Sequence, residues 1–262
     1  SVQLEREVLE PAATLIRADL DFTLRHAREP SFDMWEEERG LHYHTLCVSA
    51  AALEEGARWI ESRDPGSASR ASAYRAESAA IRALLDDFWL AQAGHYRSRI
   101  LSSGERSPKE LDIAVVLAAI HTGADWRTHS VDDPRVHATL ARLETLFDAV
   151  YPINRGRAAG MGPALGRYPG DVYYSGGAYY FSTLGAAELC FRAAARAPRS
   201  GWIERGDAYL QTVRAFTPQS GEMSEQFDQR TGAQTSARHL AWSYAAFISC
   251  VCARRAVIGA AT

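Results

Sequence analysis

Apolar residues recur through residues 12–26 with the three- and four-residue spacing of one face of an α-helix. Pro11 suits the first turn of that helix, and Arg25 and Arg28 suit its C-terminal end, where cations meet the negative pole of the helix dipole. The same period predicts helices over residues 41–61, 67–90, 111–121, 134–150, 179–195, 202–216 and 237–256. No strand system shows the two-residue alternation of a half-buried sheet; residues 96–101 alone read as a short extended piece. The chain is therefore expected to be all-α, with about eight helices.

The connections are of two kinds. "SRDPGSAS" (62–69) and "RAPRSG" (196–201) are short, polar and turn-like. Residues 29–40, 153–178 and 217–236 form longer connections rich in glycine, aromatic and charged residues, and long loops without secondary structure are uncommon unless they carry function. If consecutive helices run antiparallel, every second connection lies at the same end of the bundle, so these loops tend to converge on one face, as in an α/α toroid.

Composition narrows the function classes. The 262 residues, 47% of them hydrophobic, suffice for one large domain or two ordinary ones. The net charge is −3 and the arginines are mostly scattered singly (Arg17, Arg25, Arg28, Arg58, Arg70, Arg75), so nothing tracks phosphates and no nucleic-acid partner is expected. Lys109 is the only lysine, which points to no function. Cys47, Cys190, Cys250 and Cys252 lack metal-ligand spacing and read as buried small hydrophobes. His42 and His44 would diverge on a helix, which disfavours a metal site built on them with His121. Neither a metal nor a cofactor is expected. No apolar run is long enough to span a membrane, and no membrane partner is expected. No signal peptide precedes Ser1 and the chain does not start with methionine, so Ser1 reads as a processing or truncation point and the compartment stays open.

Three segments carry candidate chemistry. "FDMWEEERG" (32–40) sets Trp35 beside Glu36, Glu37 and Glu38, an arrangement that is ordinarily a solvated charged face. "GEMSEQFDQRTG" (221–232) places Glu225 and Asp228 in a loop ahead of the last helix, ordinarily a turn with incidental acids. "GRYPGDVYYSGGAYY" (166–180) sets Arg167 and Asp171 among tyrosines and glycines. Such a mixture serves a neutral, many-hydroxyl ligand, with aromatic faces for its C–H surface and charged groups for its hydroxyls, although tyrosines also pack cores. Glycoside hydrolysis requires two carboxyl groups, one protonated to assist the leaving oxygen and one ionised to activate water or attack carbon. Crowded glutamates against a tryptophan disfavour ionisation, so this cluster is expected to supply the protonated one.

These segments, with "AAIHT" (118–122), occur in an order and spacing that resemble the glucoamylases, glycoside hydrolase family 15, from about Pro11 to Arg255. The resemblance implies a barrel of twelve helices in two layers, an (α/α)6 toroid, and release of glucose from non-reducing ends of starch-like chains or maltooligosaccharides with inversion. It implies Glu36 as general acid, Glu225 as general base, and Glu37 as a ligand of hydroxyls beyond the cleaved bond. Arg167 and Asp171 would surround the terminal glucose, Trp35, Tyr173 and Tyr179 would add aromatic lining, and Trp242 would lie near the base. An inverting pair stands about 6.5–9.5 Å apart, against about 5–5.5 Å in a retaining one. Glucodextranase and trehalase are sister activities of the same family, and a non-catalytic sugar-binding toroid is the alternative outside enzymes. A secreted or periplasmic setting is the family's. The helices found here would be about the last eight of twelve, so residues 1–262 are expected to form part of a single catalytic domain without its N-terminal helices. The exposed faces of such an incomplete toroid imply either a missing N-terminal segment or self-association.

Overall fold

The periodic segments form eight α-helices among the described residues: α1 (Val2–His26), α2 (Tyr43–Arg63), α3 (Ala68–Leu84), α4 (Ala114–His121), α5 (Pro134–Val150), α6 (Tyr180–Arg196), α7 (Trp202–Ala215) and α8 (Ala241–Gly259). The computed structural model describes residues 2–63, 65–123, 126–197 and 201–259. Ser1, Asp64 and residues 198–200, on which the expectations for the chain start and parts of two turns fall, lie outside the described residues.

One short extended piece and no strand system were expected, yet eight short strands occur among the described residues: β1 (Ser31–Phe32), β2 (Arg39–His42), β3 (Trp89–Leu90), β4 (His95–Tyr96), β5 (Arg99–Leu101), β6 (Ala178–Tyr179), β7 (Gln226–Phe227) and β8 (Gln234–Thr235). They pair antiparallel as β1-β2-β5, β3-β4 and β6-β7-β8. Two to four residues are too few to display alternation, which is why the pattern hid them. The extended stretch expected at residues 96–101 resolves into β4 and β5, in different sheets.

Other boundaries move for local reasons. α1 starts at Val2, so Pro11 is not in its first turn; the preceding "VQLEREVLE" is rich in straight-chain residues that favour helix. α3 stops at Leu84, and residues 85–88, containing Asp86 and Asp87, tighten into a 3₁₀ turn before β3. α4 starts at Ala114, whose N–H donates to the Asp112 side chain (2.8 Å). Residues 237–240 stay outside α8 because Ser236 and His239 take left-handed backbone angles and the Ala237 carbonyl accepts from Glu225 N–H. His42 ends β2 while His44 lies in α2, so the two do not share a helix. Cys252 is exposed rather than buried, unlike the other three cysteines.

Contacts divide the chain into two compact units, residues 1–88 with 99–105, and residues 89–98 with 106–262. In the first, α2 buries Leu46, Ala50, Leu53, Ala57 and Ile60, and α3 adds Ala71, Tyr74 and Ile81. β2 continues directly into α2, so the hairpin before it is tied to this core. In the second, α6 is buried along almost its whole length and packs against α4, α7 and α8. Asp133 caps α5 by accepting from Arg135 N–H (2.8 Å), with Pro134 in the first turn.

Candidate active site

In the first unit, "FDMWEEERG" folds as a hairpin built around Asp33. Its Oδ1 accepts the N–H groups of Trp35 and Glu37, both at 3.0 Å, and its carbonyl accepts that of Glu36 (3.0 Å). Its own N–H donates to the Glu38 carbonyl (3.2 Å). Glu36 sits at the tip with φ +60°, a left-handed angle that side-chain-bearing residues seldom adopt. Gly40 closes the hairpin where β2 meets β5; a Cβ there would stand 2.3 Å from the Ile100 carbonyl oxygen. Of the three glutamates, Glu38 pairs with Arg99 (2.7 Å), Glu36 and Glu37 lie at the surface, and Trp35 is half-buried.

In the second unit, Arg167 and Asp171 form a buried, fork-on-fork ion pair, with Nε to Oδ2 at 2.7 Å and Nη2 to Oδ1 at 2.8 Å. Asp171 also accepts from the Tyr179 hydroxyl (3.0 Å) and the Tyr173 N–H (2.9 Å). Arg167 lies over the rings of Tyr168, Tyr173 and Tyr179 at 5.0, 5.4 and 5.2 Å. Burial opposes the charge of Arg167, yet the hydrogen bonds of Asp171 hold its pKa above the ordinary value. Burial pushes the Tyr179 phenol far up, so it remains a donor. Gly176, at φ +58°, lets the chain fold back on this cluster, since a Cβ would stand 2.0 Å from the Asp171 carbonyl oxygen.

Glu225 joins the same framework. β6 pairs with β7 so that Tyr179 faces Gln226, and Gln226 donates to the Tyr179 hydroxyl (2.9 Å) and the Tyr173 carbonyl (3.2 Å). Glu225 directly precedes Gln226; its carbonyl accepts from Tyr180 N–H (3.3 Å) and its carboxylate from the Ser236 hydroxyl. The strand pairing thus brings Arg167, Asp171, Tyr173, Tyr179 and Glu225 together. Trp242, at the start of α8, stacks on Phe181 (4.0 Å) and lines a cavity of about 160 Å³ with His121 and Glu188. Asp228 instead closes its own turn by accepting from Arg230 and Thr231. Sequence reasoning missed Asp33, Arg99, Gln226 and Ser236. Asp33 carried a usable signal, an Asp three residues before the acidic run in the position of a side-chain-closed turn. Arg99 is 66 positions from Asp33 and carried none.

No group of three His, Cys, Asp or Glu side chains among the described residues could hold a metal ion, and none of the described helices is long and apolar enough to cross a membrane.

The family model described as "Glycosyl hydrolases family 15" matches residues 5–204 and 202–252. The chain belongs to glycosyl hydrolases family 15. Among its relatives, the "Probable glucoamylase" of Schizosaccharomyces pombe is 30% identical over 282 residues, covering 93% of this chain and 58% of that one. "Glucoamylase 1" of Rhizopus oryzae is 28% identical, covering 92% and 46%. The solved glycoside hydrolase family 15 glucoamylase of Hypocrea jecorina superposes with a TM-score of 0.79 at 26% identity, covering 91% and 46%. The Saccharomycopsis fibuligera glucoamylase gives 0.81 at 22% identity, covering 92% and 61%, a likeness of fold alone. The fold class is accordingly all-α, with the helices of the family 15 (α/α)6 toroid in incomplete number. The chain spans about half the length of the curated relatives it matches.

Proposed function

We propose that this family 15 chain carries the catalytic acid and base of an inverting glucoamylase-type enzyme, which releases glucose from non-reducing ends of α-1,4-glucans or maltooligosaccharides. Glu36 protonates the departing glycosidic oxygen as that bond breaks. Glu225 takes the proton of a water that attacks the anomeric carbon from the opposite face of the ring, so the product is β-glucose. Arg167 and Asp171 hold hydroxyls of the terminal glucose, Tyr173, Tyr179 and Trp35 line its apolar surface, Glu37 binds the sugar beyond the cleaved bond, and Trp242 supports the base end. Both units belong to one catalytic domain in this reading.

The observation that carries it is the framework around Glu225. A half-buried carboxylate held by Ser236 follows the same two-strand ladder that orders Tyr179, Asp171 and Arg167. A turn with incidental acids has no reason to be wired to a buried arginine fork. Leu15, Ile16 and Phe22 on α1 and Phe247 and Ile248 on α8 are exposed apolar residues. They fit faces that further polypeptide, either a longer chain or a second copy, covers in the working enzyme.

The test is release of glucose from maltoheptaose, with the anomer of fresh product followed by NMR. β-Glucose is expected, and Glu225→Gln should lower the rate by about 10²-fold or more. α-Glucose, or full activity in Glu225→Gln, overturns the reading. Relative rates on maltose, isomaltose and trehalose separate it from the sister activities.

A further inference from the structure

Glu36 presents a physical problem that its own loop does not solve. It is exposed and left-handed, so neither burial nor backbone preference holds its carboxyl in one place. What restrains it is Asp33, whose Oδ1 takes the N–H groups on either side of Glu36, those of Trp35 and Glu37. The second carboxylate oxygen of Asp33 accepts from Arg99 Nη1 at 2.7 Å, and the same Nη1 donates to Glu38 Oε2 at 2.7 Å. The Arg99 side chain is only 1% exposed. It stands on β5, paired opposite His42 of β2, so its position is set by the sheet and not by the hairpin tip.

Building on the reading of Glu36 as general acid, we propose that Arg99 is its positioning residue. A buried guanidinium grips both legs of the hairpin through Asp33 and Glu38, and thereby fixes where the Glu36 carboxyl points. Of the three successive glutamates, the third serves as a structural counter-charge that holds the first in place.

Arg99→Met keeps most of the buried volume and removes the grip; Arg99→Lys keeps a charge without the fork. In the full chain, backbone amide exchange at Trp35 and Glu37 should quicken at least about tenfold in Arg99→Met while α2 amides such as that of Leu53 keep their protection. kcat on maltoheptaose should fall at least about tenfold with KM within about twofold, and Arg99→Lys should recover part of both effects. Unchanged exchange at Trp35 and Glu37 in folded Arg99→Met overturns the proposal, as does a loss of protection spread evenly through the first unit. Should Arg99→Met fail to fold, Glu38→Leu, which removes that acceptor and leaves the Asp33 bond, must show the same effects at smaller amplitude; its being silent overturns the proposal. If the unaltered chain releases no glucose, amide exchange alone decides whether Arg99 governs the hairpin.

Discussion

Replacing Asp171 by alanine removes the acceptor of four hydrogen bonds, two from Arg167 and one each from Tyr179 and Tyr173. The side chains of the ion pair are 8% and 2% exposed, so bulk water offsets little of that loss. Leaving one partner of such a pair buried costs about 3–5 kcal/mol. Arg167 keeps the Tyr168 hydroxyl and its three aromatic faces, but these are present before and after the change and offset none of the loss. The stranded Tyr179 hydroxyl adds at least about 1 kcal/mol, and the sum is about 5 kcal/mol. Arg167→Met with Asp171→Leu removes both charges at similar volume and should cost under about 2 kcal/mol, less than the single change. Equilibrium urea unfolding of Asp171→Leu, Arg167→Met and their double variant closes a mutant cycle, with Asp171→Ala measured beside it. A loss below about 1 kcal/mol in Asp171→Ala, or a double variant as unstable as the single, refutes the reasoning.

Gly40→Ala should part β2 from β5, because its Cβ would meet the Ile100 carbonyl at 2.3 Å, and thermal melting should report a loss of roughly 2 kcal/mol or more. Burial holds the pKa values of His42, His95 and His121 below the ordinary histidine value. The unfolded chain then binds more protons, so stability is complete above about pH 6.5 and falls as the pH drops below it. Urea midpoints at pH 7.5 and 5.5 measure this, and equal midpoints contradict it.

The long helices were legible because a buried face repeats many times within each; residues 134–150 were read to the residue. The sheets were illegible because β6 and β7 have two residues each and are specified by what they face. The helix starts at Ala114 and Ala241 depend on particular hydrogen bonds of Asp112 and Ala237, which periodicity does not register. The residues of the candidate site were visible as chemical types in glycine-rich loops. Their supports were not: Arg99 and Gln226 act across long sequence separations and look like any surface arginine or glutamine.

The loop between Arg167 and Gly176 is tethered at both ends and loose in the middle. Arg167, Asp171 and Gly176 anchor it, while Val172 is 87% exposed and Tyr174 also faces solvent. Variation is thereby uncoupled from risk. Substitutions at Val172 leave the ion pair beneath undisturbed, so on the proposed reading of the site this is where sequence drift, or a designer, can vary contacts at least cost to the fold.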